Sequence, residues 1–429
     1  MRRTSAVDLG LLLIGLLIIY VASPLVIEGD GSARSRALSR LLADGSLDRT
    51  PYSLVGPLGS APLWWIGTAL ASPEWWLARY NLLLFVAGLA AFYLILTPAI
   101  EHGTVVRFLL ILTVGSMFPH HLGRYYGEVF TALMVGLGIA LVSVRGAYWG
   151  WLLAMLGAAN TPATIPALAL VCLAWAWRTR DARHLLPIVL AAALVTGESW
   201  LRRGSPFATG YEGNRGAETV LPFSGRPGFS YPFLLGVISI LFSFGKGLLL
   251  FAPGLLAIPR QLADRTGVWR TTIVLWTLFL AGLIGVYAKW WSWYGGQFWG
   301  PRFFLFASIP AALALAGWSR PRTRSPLAPW LATGALVWSC WVGANGLVWR
   351  SYGGDVCTAD HYALEFLCWY VPEFSPLFGP LYRSRALDTM DLVVLAFFAA
   401  AALWLVASGT QGARADGPAP NAERPTSSA

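Results

Sequence analysis

The stretch DLGLLLIGLLIIYVASPLVIEGDGSARSRALSRLL, residues 8–42, runs through about twenty apolar residues and then, at once, into two carboxylates and three arginines. Its apolar part, Asp8 to Ile27, has the length of a membrane-spanning helix and exceeds the roughly 7–15-residue core of a signal peptide. Ser23-Pro24 makes a poor cleavage site, so the segment reads as a retained first span with its N-terminus inside. Glu28 and Asp30 stand where that helix should emerge into water, and Arg34, Arg36 and Arg40 follow.

The rest of the chain carries the same signal. Of 429 residues 56% are hydrophobic and 12% charged, against roughly 25% charged in a soluble domain. The fold class expected is an all-α polytopic membrane protein. Spans are expected over 8–27, 79–97, 104–118, 128–144, 147–160, 164–177, 184–200, 246–259, 270–288, 302–318, 328–349 and 389–408, about twelve crossings by the length rule. Both ends then fall inside. The short loops with Arg178, Arg180 and Arg183, with Arg260, Arg265 and Arg270, and with Arg320, Arg322 and Arg324 all lie on the cytoplasmic side, as the positive-inside rule requires.

That topology makes a transmembrane unit of residues 1–409 with large outer loops at 28–78, 201–245 and 350–388, and it leaves 410–429, rich in Ala, Gly, Pro and Ser, as a disordered cytoplasmic tail. Residues 32–44 place Ala33, Ala37, Leu38, Leu41 and Leu42 on one side and Arg36, Arg40 and Asp44 on another, the pattern of a helix lying at the membrane surface. Residues 57–71, with Trp64 and Trp65, read as a second interfacial helix. Cys357 and Cys368 share the last outer loop, where an oxidising compartment would let them pair, whereas Cys172 and Cys340 lie inside spans.

Three groups of residues could carry chemistry. A carboxylate shielded from water becomes a stronger base, so Glu28-Gly29-Asp30 could take a proton from an acceptor hydroxyl, although acids also mark the outer ends of first spans. The stretch FPHHLGRYYGE supplies His120, His121, Arg124, Tyr125, Tyr126 and Glu128 at the same face, as hydrogen-bonding partners of a polar substrate or as a polar helix cap. Adjacent histidines lack the i, i+4 spacing that puts two ligands on one helix face, so a divalent metal is possible but not favoured, and no other cofactor is expected. The 31 basic residues include only two lysines, Lys246 and Lys289, both at the expected outer boundary. Lysine is a point charge suited to phosphate, and Arg302 in WGPR adds a forked donor at the same level; the alternative is a snorkelling cation. Trp291, Trp293 and Tyr294 form an interfacial belt or a stacking surface for a sugar or prenyl chain.

The absences narrow the function. There is no P-loop, no G-x-G-x-x-G, no G-x-S-x-G and no cytoplasmic segment long enough for a nucleotide-binding domain. A net charge of +10 fits anionic lipid or phosphate, while basic residues split among short loops exclude nucleic acid. A transferase built this way must receive its donor on lipid.

Glu28-Gly29-Asp30 resembles the E-x-D form of the modified D-x-D motif in the first outer loop of the GT-C superfamily of integral-membrane glycosyltransferases. The wider run from Glu28 to Gly67, with FSFGKGLLLFAPGLL and YGGQFWGPRFFLFASIP, is similar to segments of its bacterial members. The likeness in topology covers nearly the whole chain; no soluble outer domain follows the last span, in contrast to many members. The resemblance implies an inverting transferase that moves a sugar, hexose or pentose, from a polyprenyl-phosphate carrier to a glycan, lipid or protein acceptor outside the inner or plasma membrane. It implies a first-loop base, carried onto Asp30 with Glu28 as second choice, while Arg34, Arg36, Lys246, Lys289 and Arg302 would hold the departing phosphate. Two other classes compete. A lipid-linked sugar flippase would place charge deep in several spans, and a polymerase or ligase would carry its signature in 350–388.

Overall fold

A computed structural model describes residues 2–318, 327–350, 354–383 and 385–415. Arg320, Arg322 and Arg324, expected on the cytoplasmic side, and residues 416–429 of the expected tail lie outside the described residues. Among those described there is no strand, and the chain is a bundle of helices. Among the described residues seven helices are long and apolar enough to cross a membrane.

The first span is α1 (Arg2–Ala22), and it hands over to α2 (Asp30–Asp44), followed by α3 (Ala61–Ala69). Next come α4 (Tyr80–Leu96), α5 (His102–Val114), the short α6 (Phe118–Leu122) and α7 (Gly127–Arg145). Then follow α8 (Gly150–Asn160), α9 (Ile165–Thr179), α10 (Leu186–Arg203) and α11 (Phe233–Phe242). The second half holds α12 (Gly267–Tyr287), α13 (Ser308–Trp318), α14 (Ala328–Val348), α15 (Glu365–Tyr370) and α16 (Thr389–Ala415).

The core gathers around α7, whose membrane-length window is 78% buried. Apolar residues face neighbours all round it, as expected of a helix with protein on every side. Phe92, Phe108, Trp276 and Phe279 pack into that core, and the Trp276 indole N–H donates to the Gly136 carbonyl at 3.1 Å, which satisfies a polar atom that would otherwise be costly there. Where α7 meets α8, a Cβ on Gly138 would lie 2.5 Å from the Gly150 carbonyl oxygen. Small residues permit this approach, which supplies the packing that holds membrane helices together.

Every expected span has a helix except 246–259. That stretch is broken into Leu248–Phe251, Pro253–Ala257 and Ile258–Asp264, because Pro253 and Pro259 each remove a backbone donor and restrict the residue before them. The apolar helix α11 lies instead in what reads as an outer loop; its ten residues fall below the roughly twenty of a perpendicular crossing. The expected helix over 57–71 is divided into Val55–Leu58 and α3, and α16 runs to Ala415, into the stretch expected as a tail. The length rule counts about twelve spans, whereas shorter apolar helices such as α5, α8 and α11 stand beside the seven of full length.

Candidate active site

The site is built where α1 ends and α2 begins. Gly29 has φ +51°, a left-handed conformation that a side chain would strain, and it lets the chain turn so that Asp30 opens α2. The Val26 amide donates to the Gly123 carbonyl at 3.1 Å, which lays Glu28 and Asp30 beside the Arg124–Glu128 stretch. Two sequence motifs a hundred residues apart thereby form one charged cluster. Glu28 pairs with Arg124. Arg302 donates to Asp30 Oδ2 at 2.7 Å and lies 3.3 Å from Glu128 Oε1, while its Nε donates to the Gly295 carbonyl at 2.6 Å. The Phe298 ring covers the guanidinium, 3.9 Å from ring centre to Cζ.

The other oxygen of Asp30 accepts a 2.6 Å hydrogen bond from the Tyr52 hydroxyl. Tyr52 is held by the end of α10. Buried Arg202 donates to the Asp48 carbonyl at 2.8 Å, the Tyr52 carbonyl at 2.6 Å and Thr50 Oγ1 at 2.8 Å, and pairs with Glu198 at 2.5 Å. Glu198 in turn accepts from Ser53 Oγ and the Leu54 amide, both at 2.7 Å. Burial raises the pKa of the Asp30 carboxyl, but Arg302, the Tyr52 hydrogen bond and Arg34 together outweigh it and hold the group below its usual value. This corrects the expectation that shielding makes Asp30 a stronger base: the residue is desolvated, but it is desolvated in cationic company.

The remaining expected residues divide. Arg34 is buried, not on the solvent stripe of α2; it reaches Asn160 Oδ1 at 3.3 Å and the Ser53 carbonyl at 3.4 Å, and lies over the Tyr52 ring. Arg36 is exposed and makes no contact with the cluster. Tyr125 is buried with its hydroxyl on Ser60 at 2.6 Å, a packing position. His120 stacks on Trp299 and donates from Nδ1 to the Gly346 carbonyl at 2.9 Å, which leaves Nε2 as an acceptor. His121 is fully buried, and neither ring nitrogen is bonded within the protein. Among the described residues no group of three or more His, Cys, Asp or Glu could hold a metal.

The two lysines have different surroundings. Lys246 is buried, and its three donors are all directed to carbonyls of one loop: Gly296 at 2.8 Å, Gly300 at 3.1 Å, and Phe298. That loop carries the Phe298 ring that covers Arg302, so Lys246 shapes the site through its backbone. Lys289 is exposed. Lys246→Met is therefore expected to lower both melting temperature and turnover, by about tenfold or more for the latter, because three backbone acceptors lose a charged donor at once. Lys289→Met should leave both near wild type, and comparable losses in the two variants would contradict this division.

A cavity of about 590 Å³ opens beside the cluster. Arg124, Arg215 and Arg350 bring three guanidinium groups to its wall, beside Lys246, whose donors are directed to carbonyls, and Glu28 and Glu365 bring two carboxyl groups. Burial and the neighbouring charge of Arg124 lower the pKa of Arg350, a like-charge cost that a bound anion would relieve. Trp291 and Tyr294 also line it, whereas Trp293 is buried against Trp369. Sequence reasoning missed Tyr52, Arg215, Arg350 and Glu365. Arg350 had a signal, a lone cation at the end of a span; Tyr52 had none.

One wall of the cavity is the loop before α16, expected as the last outer loop. Cys357 and Cys368 are joined by a disulfide, Gln297 Nε2 donates to the Cys357 carbonyl at 3.4 Å, and the Gly245 amide donates to the Trp369 carbonyl at 3.0 Å. Closing so short a loop contributes about 2–3 kcal/mol. Cys357→Ser should lose that stability and weaken ligand binding, and reductant should act on the native protein in the same way; identical melting curves with and without reductant would show that the loop is held otherwise.

The sequence matches no family model, and no curated protein matches it. Among solved structures it is similar to the crystal structure of ArnT from Cupriavidus metallidurans bound to undecaprenyl phosphate, with a TM-score of 0.53 over 95% of this chain and 78% of that one, at 13% identity. The likeness is one of fold. It gives the chain the all-α, multi-pass membrane architecture that the GT-C resemblance implies.

Proposed function

We propose that this protein is an inverting glycosyltransferase that takes a sugar from a polyprenyl-phosphate carrier and passes it to a hydroxyl of a cell-envelope glycan, glycolipid or protein on the outer face of the membrane. The observation that carries the reading is the cavity that gathers Arg124, Arg215 and Arg350 beside Glu28, next to the Asp30 cluster, in a membrane fold like that of a protein solved with undecaprenyl phosphate. Cations supply what a leaving phosphate needs, and carboxylates supply what an attacking hydroxyl needs.

The acceptor oxygen attacks the anomeric carbon from the face opposite the phosphate, and the bond from that carbon to the phosphate oxygen breaks. The carrier leaves as polyprenyl phosphate, and the acceptor proton passes to Asp30. Arg124, Arg215 and Arg350 meet the charge that grows on the leaving oxygen, an effect of about 3 kcal/mol per well-placed donor in a partly dry site. Asp30 is a weak base, ionised throughout the neutral range, and this suits an oxocarbenium-like transition state in which the acceptor hydroxyl becomes acidic late. Tyr52 and Arg302 fix its two oxygens so that no reorganisation is needed at the moment of transfer.

The test is reconstitution in lipid nanodiscs with a synthetic short-chain polyprenyl-phosphate sugar and a cell-envelope extract as acceptor. Release of free polyprenyl phosphate together with incorporation of the sugar is expected. Movement of intact carrier across a bilayer without cleavage would replace the transferase reading with a flippase.

A further inference from the structure

The cavity has a second polar feature that the leaving phosphate does not use. Glu365 opens α15, is only 4% exposed, and still contributes to the cavity wall. Its carboxyl hydrogen bonds with Tyr294 and feels the charge of Lys246, whose own donors are already directed to three carbonyls. Around it stand aromatic rings: Tyr294 and Trp369 lie 4.0 Å apart between centres, and Trp291 lies 6.5 Å from Tyr294. The Trp291 indole N–H is buried with no hydrogen-bond partner in the protein, and the Gln297 amide shares the same wall.

A buried carboxyl and an unmet indole donor are costly features unless something occupies them. Aromatic faces suit the C–H face of a sugar ring, and carboxyl and amide groups suit its hydroxyls. We propose that Glu365, Gln297, Trp291, Tyr294 and Trp369 form the subsite for the sugar ring of the donor, that the ring is neutral and rich in hydroxyls, and that Glu365 is its anchor. This deepens the transferase reading and rests on it. Burial pushes the Glu365 carboxyl up to about 7, so near neutrality both its forms are present, and either can bond a hydroxyl, the anion as acceptor and the acid as donor. A sugar bearing its own carboxylate would meet a like charge wherever Glu365 is ionised, which makes a uronic acid the wrong occupant above neutrality.

The test compares affinities in nanodiscs for bare short-chain polyprenyl phosphate and for the same carrier bearing glucose, mannose, galactose, arabinose or glucuronic acid. At a pH above neutrality, where Glu365 is ionised, wild type is expected to bind at least one neutral-sugar carrier about tenfold tighter than the bare carrier and to gain nothing from glucuronic acid, since a site built around a hydroxyl discriminates strongly. Glu365→Met should lose most of that gain while its affinity for the bare carrier stays close to wild type, and Glu365→Gln, whose amide can still bond a hydroxyl, and Glu365→Asp should each recover part of it. Trp291→Phe, which keeps the ring and removes the donor, provides a second variant should the first fold poorly. A gain that survives in both variants, or a wild type that gains nothing from any neutral sugar, would overturn the subsite and leave the transferase reading standing. Failure to bind even the bare carrier would overturn both.

Discussion

Asp30→Asn is expected to reduce sugar transfer by about 10²–10⁴-fold, the usual worth of a positioned general base, while carrier affinity stays near wild type and the melting temperature falls, because buried Arg302 is left with Glu128 as its one carboxylate partner. The amide keeps the shape of the side chain and can still accept from Tyr52, but its NH2 then faces the Arg302 guanidinium, so the loss reports the missing basic oxygen only when turnover is measured on folded, carrier-binding protein. Glu28→Gln should cost less. Glu28 lines the cavity and neutralises Arg124, but it is half-exposed and has no second partner to orient it. A variant Asp30→Asn that kept more than about a tenth of wild-type turnover would be inconsistent with a general-base role of that size, and a larger loss in Glu28→Gln than in Asp30→Asn would move the base to Glu28.

Arg302→Met is expected to have the second large effect, on stability as well as on rate. Arg302 is buried between Asp30 and Glu128, and removing it leaves two largely buried carboxylates facing each other without a cation. Breaking a buried ion pair from one side costs about 3–5 kcal/mol, against a net contribution near zero for an exposed pair. The pH dependence follows in sign. The pKa of Asp30 is lower folded than unfolded, so its pairing stabilises the protein above the ordinary carboxylate range and is lost only as the pH falls through the depressed folded value. Without Arg302, burial becomes the main influence and the pKa of Asp30 rises. The acid limb of the pH–rate profile should therefore move upward in Arg302→Met, and Glu128→Gln in the same background should recover part of the stability. A melting temperature and acid limb unchanged by Arg302→Met would remove the pair from the account.

Much of the architecture was legible because a bilayer writes in long apolar runs. The first span, its abrupt exit into Glu28-Gly29-Asp30, and the cations of later segments could all be read from composition and spacing. What escaped was fixed by partners far away in the chain. Arg34 was expected to hold the departing phosphate, yet it is buried, and Asn160, 126 residues on, accepts its hydrogen bond. The rarity of lysine marked Lys246 as special but gave no sign that its target was a loop of carbonyls 50 to 54 residues later. Tyr52 sits in an unremarkable polar stretch, and only Arg202, 150 residues on, gives it a fixed place beside Asp30. The broken segment after Lys246 was apolar enough to pass for a span, because hydropathy counts proline without its missing donor.

Transfer requires that a carrier phosphate rest in the cavity beside the first-loop carboxylates, and the affinity of short-chain polyprenyl phosphate for wild type and Arg350→Met in nanodiscs measures this step itself. Arg350 shares the cavity wall with Arg124 but makes no contact with Asp30 or Glu28, so its loss should spare the carboxylate cluster. The account predicts saturable binding to wild type and affinity weaker by about 10–150-fold in the variant, the equivalent of a charge-assisted hydrogen bond worth about 1.5–3 kcal/mol. Equal affinity in the two proteins, or binding that never saturates in wild type, would contradict it.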